Sequence, residues 1–170
     1  MSRDDGWYGI GGGAARPSRP RLDVIVPGLI VGEYPNVDDV PWLRETHGVT
    51  AVVCLQDEAD LASKRLRLAD LRAAYADAGI AFDHVPVPDG DPDFLADRLP
   101  IVVEVVHAHV ETGATVYLHC NAGMNRAPTA AIAYVHVHGG LQLAAALEHV
   151  KARRLCVPYV RALELCYGTW

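Results

Sequence analysis

A chain of 170 residues, 51% hydrophobic and 21% charged, can bury roughly 70% of the surface its unfolded form exposes, enough for one compact core. No apolar run approaches the ~20 residues of a membrane span, and the N-terminus has no charged region followed by an apolar core, which points to a soluble, cytoplasmic protein with no membrane partner. A net charge of −6 and a pI of about 5.7 argue against nucleic acid as a partner.

Residues 1–21 contain four glycines between Gly9 and Gly13 and then Arg16, Pro17, Arg19, Pro20 and Arg21, and read as a flexible tail ahead of a domain spanning 22–170. Trp7 and Tyr8 within it are the residues that a lid or substrate contact would use. Leu22–Val26 and residues 29–31 read as a hairpin around Pro27-Gly28, residues 38–45 as a short helix, 49–55 as a central strand, and 59–78 as one helix closed by Gly79. A strand over 81–85 runs into Pro86-Val87-Pro88-Asp89-Gly90-Asp91-Pro92-Asp93, a loop rich in turn formers. A helix over 94–111 and the break at Gly113 lead to a short buried strand ending near Leu118. Helices over 128–138, 141–153 and 159–167 complete the chain, with Gly139-Gly140 as a further break. Strands interleaved with helices imply an α/β fold, a mixed sheet of about four or five strands flanked by helices.

The segment His119-Cys120-Asn121-Ala122-Gly123-Met124-Asn125-Arg126-Ala127 joins the last strand to a helix, beyond the carboxyl end of the strand where such sheets bind ligands. Pro128 suits a first helical turn, so the backbone N–H groups of Asn121, Ala122, Gly123, Met124 and Asn125 are available to converge on an oxyanion such as phosphate. A helix N-terminus and a nearby arginine lower a cysteine pKa from ~8.5 into roughly 3.5–7.5, which makes Cys120 a candidate nucleophile. Arg126 offers a planar fork to two phosphate oxygens. Gly123 allows the tight turn, and Asn125 stands where a second glycine would otherwise supply freedom, asparagine being tolerant of positive φ. His119 is read as orienting the loop through hydrogen bonds. A phosphate ester also needs its leaving oxygen protonated, and Asp89, Asp91 and Asp93 are the candidates, with Asp89 preferred. No metal or other cofactor is called for.

Cys120 through Arg126 resembles the Cys-x5-Arg signature of the protein tyrosine phosphatase superfamily, in its small dual-specificity branch. The wider text, including residues 48–56 and 115–123 and Arg154-Leu155-Cys156-Val157-Pro158, is most similar to the glucan phosphatases, laforin and the plant starch enzymes. The resemblance implies the dual-specificity-phosphatase fold and a phosphocysteine mechanism in which Cys120 attacks, Arg126 holds the phosphoryl group and Asp89 is acid and then base. It implies a phosphorylated protein or a phosphorylated carbohydrate as the partner. Ala127 replaces the serine or threonine that most of the branch carries after the arginine. Gly90, Ala62 or Ser63, and Val157 stand where the plant enzymes place aromatics, so the protein-phosphatase reading is preferred to the glucan one.

Competing readings bear on other residues. Cys54, Cys156 and Cys166 read as core thiols, with Cys54 also a candidate for a reversible disulfide with Cys120. The spacings of His107/His109 and His136/His138 do not match metal-binding helices. Lys64-Arg65-Leu66-Arg67 reads as a solvated helix face or a second handle for an anionic substrate. A non-catalytic phosphate-binding module and a small phosphomonoester substrate are the remaining alternatives.

Overall fold

A computed structural model describes residues 18–170, so the stretch 1–17, including Trp7 and Tyr8, lies outside the described residues. Next to it Arg19 is tied down: its guanidinium pairs with Asp39 at 2.9 Å, donates to the Asp38 carbonyl and sits over the Trp42 ring.

Five strands form one sheet in the order β1-β2-β5-β3-β4, comprising β1 (Leu22–Val26), β2 (Leu29–Gly32), β3 (Ala51–Cys54), β4 (Ala81–His84) and β5 (Val116–His119). The β1–β2 hairpin is antiparallel and every other pairing is parallel. Strands β2, β3 and β5 are buried on both faces and are correspondingly rich in valine, leucine and isoleucine. Leu29, Val31, Val53, Val116 and Leu118 pack into one core layer and Ile30, Val52 and Tyr117 into the other, as the two-residue period of a strand requires.

Helices α4 (Pro92–Glu111), α5 (Arg126–Val137), α6 (Leu143–Arg153) and α7 (Val160–Tyr167) pack with the larger layer, and α1 (Val40–His47) and α3 (Leu68–Asp77) with the smaller. Helix α5 is buried continuously from Arg126 to Val135, and its alanines at 127, 130, 131 and 133 let neighbouring helices approach closely. The parallel strands β5 and β3 end side by side, with Cys54 in register with His119, so the chain leaving β5 emerges at the centre of the sheet.

The stretch 59–78 is two helices, α2 (Glu58–Ser63) and α3, where one helix is expected. Leu66 N–H bonds to the Leu61 carbonyl and Arg65 N–H to that of Ala62, a Schellman ending in which Arg65 takes the left-handed conformation at φ 54°. Leu61 and Leu66 in the same core layer hold the break in place. An arginine at a position glycine usually fills hides this stop from the sequence.

Candidate active site

The loop between β5 and α5 carries Cys120, which is 2% exposed, and it is bounded by buried polar side chains. Its carbonyls are anchored outward one after another. His119 Nδ1 donates to the Cys120 carbonyl, Tyr34 N–H to that of Asn121, Arg154 to those of Ala122 and Gly123, Val157 N–H to that of Met124, and Thr129 to that of Asn125. In a trans peptide unit the N–H points opposite to the C=O, so anchoring the carbonyls to the frame turns the intervening amides toward the concave side. That arrangement suits a tetrahedral oxyanion.

Gly123 sits at φ +64°, and an added Cβ would lie 2.5 Å from both Arg154 Nη2 and the Gly32 carbonyl oxygen. Asn125 has φ −119°, outside the left-handed region that its residue type suggests. It serves instead through its amide, whose Nδ2 donates to the Val157 carbonyl at 2.6 Å. Pro128 is the third residue of α5, still within the turn whose N–H groups lack intrahelical partners.

Arg126, 1% exposed, opens α5 and turns its side chain back under the loop. Its Nη1 donates to Asp60 Oδ2 at 2.6 Å and to the Val87 carbonyl at 2.8 Å, Nη2 lies 3.5 Å from Asp60 Oδ1, and Nε stands 3.5 Å from Asp89 Oδ1. With Nη1 spent on the protein, Nε and Nη2 form the edge available to an anion. Burial opposes the guanidinium's charge, but the hydrogen bond to Asp60 and the charges of Cys120, Asp60 and Asp89 outweigh it, so the pKa is raised further.

Asp60 did not stand out in the sequence. It is the third residue of α2, where its carboxylate accepts Asp57 N–H in a capping box, the Asn121 amide at 2.6 Å and Arg126. Gln56, fully buried, donates to Asn121 Oδ1 at 2.7 Å, which fixes the other end of that amide. Arg154, noted in the sequence only as part of a matching segment, pairs with Asp23 at 2.8 Å besides holding two loop carbonyls. A capping-box aspartate and an arginine before a proline are common enough that neither advertises such a task.

The three candidate carboxylates have separate partners. Asp91 caps α4 through Phe94 N–H. Asp93 is chelated by Arg161 at 2.6 and 3.2 Å, which lowers its pKa. Asp89 alone reaches Arg126. Cys54 is a free, buried thiol directed at Gln56 Oε1, and Cys156 and Cys166 are free as well. His107 and His109 diverge, one stacking on His138 and the other meeting Asp83. None of the helices among the described residues is long and apolar enough to cross a membrane.

Residues 29–161 match the family described as the dual specificity phosphatase catalytic domain. Over 144 residues the chain is 28% identical to laforin of Mus musculus, covering 78% of this chain and 44% of that protein. It is 33% identical over 144 residues to the amyloplastic phosphoglucan phosphatase DSP4 of Castanea sativa, covering 82% and 38% respectively. It thus spans less than half the length of either relative. The fold is similar to that of Tk-PTP in its active form, with a TM-score of 0.72, 22% identity, and coverage of 85% of this chain and 92% of that one.

Proposed function

Because the chain belongs to the dual-specificity phosphatase family over most of its length, we propose that residues 22–170 form a catalytic domain that hydrolyses phosphomonoesters, with Cys120 as nucleophile, Arg126 as phosphate clamp and Asp89 as general acid and then base. The Cys120 thiolate attacks phosphorus, a sulfur–phosphorus bond forms as the ester P–O bond breaks, and Asp89 gives its proton to the leaving oxygen. Water then attacks the phosphocysteine while Asp89 takes a proton from it, which releases phosphate and restores the thiolate. Charge on the transferring group is met by the loop amides and the free edge of Arg126.

The observation that carries this reading is the outward anchoring of successive carbonyls from Cys120 to Asn125 around one buried thiol and one buried guanidinium. The test is turnover of para-nitrophenyl phosphate in EDTA. The wild type should be active and Cys120→Ser inactive, and turnover surviving in that variant would remove the nucleophile.

A phosphorylated protein is the preferred substrate. Val157, 62% exposed and bonded through its N–H to the Met124 carbonyl, presents an aliphatic side chain beside the loop, which suits peptide side chains, while the ring of Tyr159 is half-buried with its hydroxyl engaged by Asp89. The name of the Castanea sativa relative, a phosphoglucan phosphatase, favours phosphoglucan as a second reading. Phosphopeptides and solubilised phosphorylated amylopectin, offered at equal phosphate, separate the two. The cytoplasm is the proposed location, supported by the free thiols at all four cysteines.

A further inference from the structure

Tyr159 precedes α7 and lies 70 residues from Asp89 in sequence, yet its hydroxyl meets the acid loop. It accepts the Gly90 N–H at 3.0 Å and donates to Asp89 Oδ1 at 3.2 Å. Gly90 N–H also reaches Asp89 Oδ1 at 3.0 Å, and Arg126 Nε is 3.5 Å from the same oxygen. Among the described residues every polar contact of this carboxylate therefore falls on Oδ1. Apart from these contacts the side chain is loosely held, being 61% exposed beside a glycine at φ +75°.

The other end of Tyr159 is fixed to the nucleophile loop. Its backbone N–H donates to Thr129 Oγ1 at 2.8 Å, and Thr129 Oγ1 in turn donates to the Asn125 carbonyl at 2.6 Å. One residue thus bridges the first turn of α5, which carries Arg126, and the loop that carries Asp89.

We propose that Tyr159 is a positioning residue for the acid: by occupying Oδ1 together with Gly90 N–H, it leaves Oδ2 to carry the proton and aims that oxygen at the leaving group. The inference rests on the reading of Asp89 as general acid. Partial burial and the Asp89 charge raise the hydroxyl's pKa, which keeps it a donor. The step needs no additional reactant, since the proton that leaves Oδ2 in the first half-reaction returns from water in the second.

The test compares Tyr159→Phe, Asp89→Asn and the double variant on para-nitrophenyl phosphate and phenyl phosphate, whose leaving groups differ in their need for a proton. Misaiming the acid should cost on the order of tenfold in kcat on phenyl phosphate and clearly less on para-nitrophenyl phosphate. The loss should vanish in the Asp89→Asn background. A loss equal for both substrates, or one that persists without Asp89, assigns Tyr159 a purely structural role and overturns the inference, as does unchanged turnover of phenyl phosphate by a folded Tyr159→Phe. Should Phe at 159 fail to fold, Tyr159→His, which keeps a planar ring but withdraws the phenol hydroxyl, must reproduce the leaving-group dependence or the inference falls. If Asp89→Asn alone leaves phenyl phosphate turnover intact, the assignment of the acid itself has failed.

Discussion

Asp60 and Arg126, 66 residues apart, meet at 2.6 Å with side chains only 8% and 2% exposed, and this pair joins α2 to the first residue of α5 beneath the Cys120 loop. A buried pair that loses one member leaves an uncompensated charge, at a cost of about 3–5 kcal/mol. Asp60→Ala should therefore be strongly destabilised in urea. Asp60→Asn keeps the shape and one acceptor but also withdraws the negative charge and turns an NH2 toward groups that donate, so it too should lose stability, and its folded fraction should show kcat/KM for para-nitrophenyl phosphate lowered about tenfold or more. Wild-type kinetics in Asp60→Asn would show that Arg126 needs no such orientation.

Arg154 and Gly123 test the outward anchoring of the loop. Alanine at 123 would meet Arg154 Nη2 and the Gly32 carbonyl at 2.5 Å and would also occupy the left-handed region, itself costing roughly 1–2 kcal/mol. Gly123→Ala should lose nearly all turnover. Arg154→Lys retains charge near Asp23 but cannot span the carbonyls of Ala122 and Gly123 as the guanidinium does. Reduced phosphate affinity in this variant, read as a weaker Ki for inorganic phosphate, is the expected result, and an unchanged Ki would contradict it.

The three aspartates of the acid loop should separate by assay. Asp89→Asn should slow kcat by ~10²-fold or more, the scale of acid–base assistance. Asp91→Ala removes a helix cap and should cost about 1 kcal/mol in urea with little change in kcat. Asp93→Asn breaks only an exposed ion pair with Arg161 and should alter neither measurably. A large kcat effect at 93 and none at 89 would move the acid.

How much of this was written in the sequence depends on whether a residue acts locally. The strand, the loop and the helix around Cys120 follow from apolar runs, one glycine and a proline, and the parallel sheet follows from strand–helix alternation, so both are legible. The break between α2 and α3 is not, because Arg65 adopts a backbone conformation that advertises itself only when glycine does so. Asp60, Gln56 and Arg154 act across 66, 65 and 31 residues of separation, and no local pattern signals their partners. Asn125 shows the converse: its residue type suggests a turn conformation, whereas the fold uses its amide.

Cys54 predicts behaviour at alkaline pH. Burial in the β3 strand end pushes its thiol up to about 12. Its unfolded value is near ~8.5, so the folded state holds the proton more tightly. That contribution is complete below the unfolded value and is lost as pH rises through the folded one, with stability falling by at most ~1.4 kcal/mol per pH unit for one proton. Between about pH 9 and 11, urea unfolding of Cys54→Ala should therefore decline less steeply with pH than that of the wild type. The same burial should leave Cys54 unalkylated by iodoacetamide in the folded protein at neutral pH. Parallel slopes, or rapid labelling at Cys54, would contradict this environment.

Ala127 makes the last prediction. It is fully buried as the second residue of α5, directly after Arg126, and offers no hydroxyl to the phosphocysteine of the proposed cycle. If Asp89 alone assists the incoming water, as in the proposed cycle, breakdown of the intermediate should limit turnover of an activated ester, and rapid mixing with para-nitrophenyl phosphate should reveal a burst of nitrophenolate close to one equivalent of enzyme. Ala127→Ser adds one oxygen at the mouth of the helix, where it can hydrogen-bond the departing sulfur. The burst should shrink while the steady-state rate rises several-fold, less than the ~10²-fold of full acid–base assistance because the hydroxyl adds only a hydrogen bond to the sulfur. Equal bursts and equal steady-state rates in the two proteins would mean that this position is silent, and no burst in either would place the slow step in the attack by Cys120.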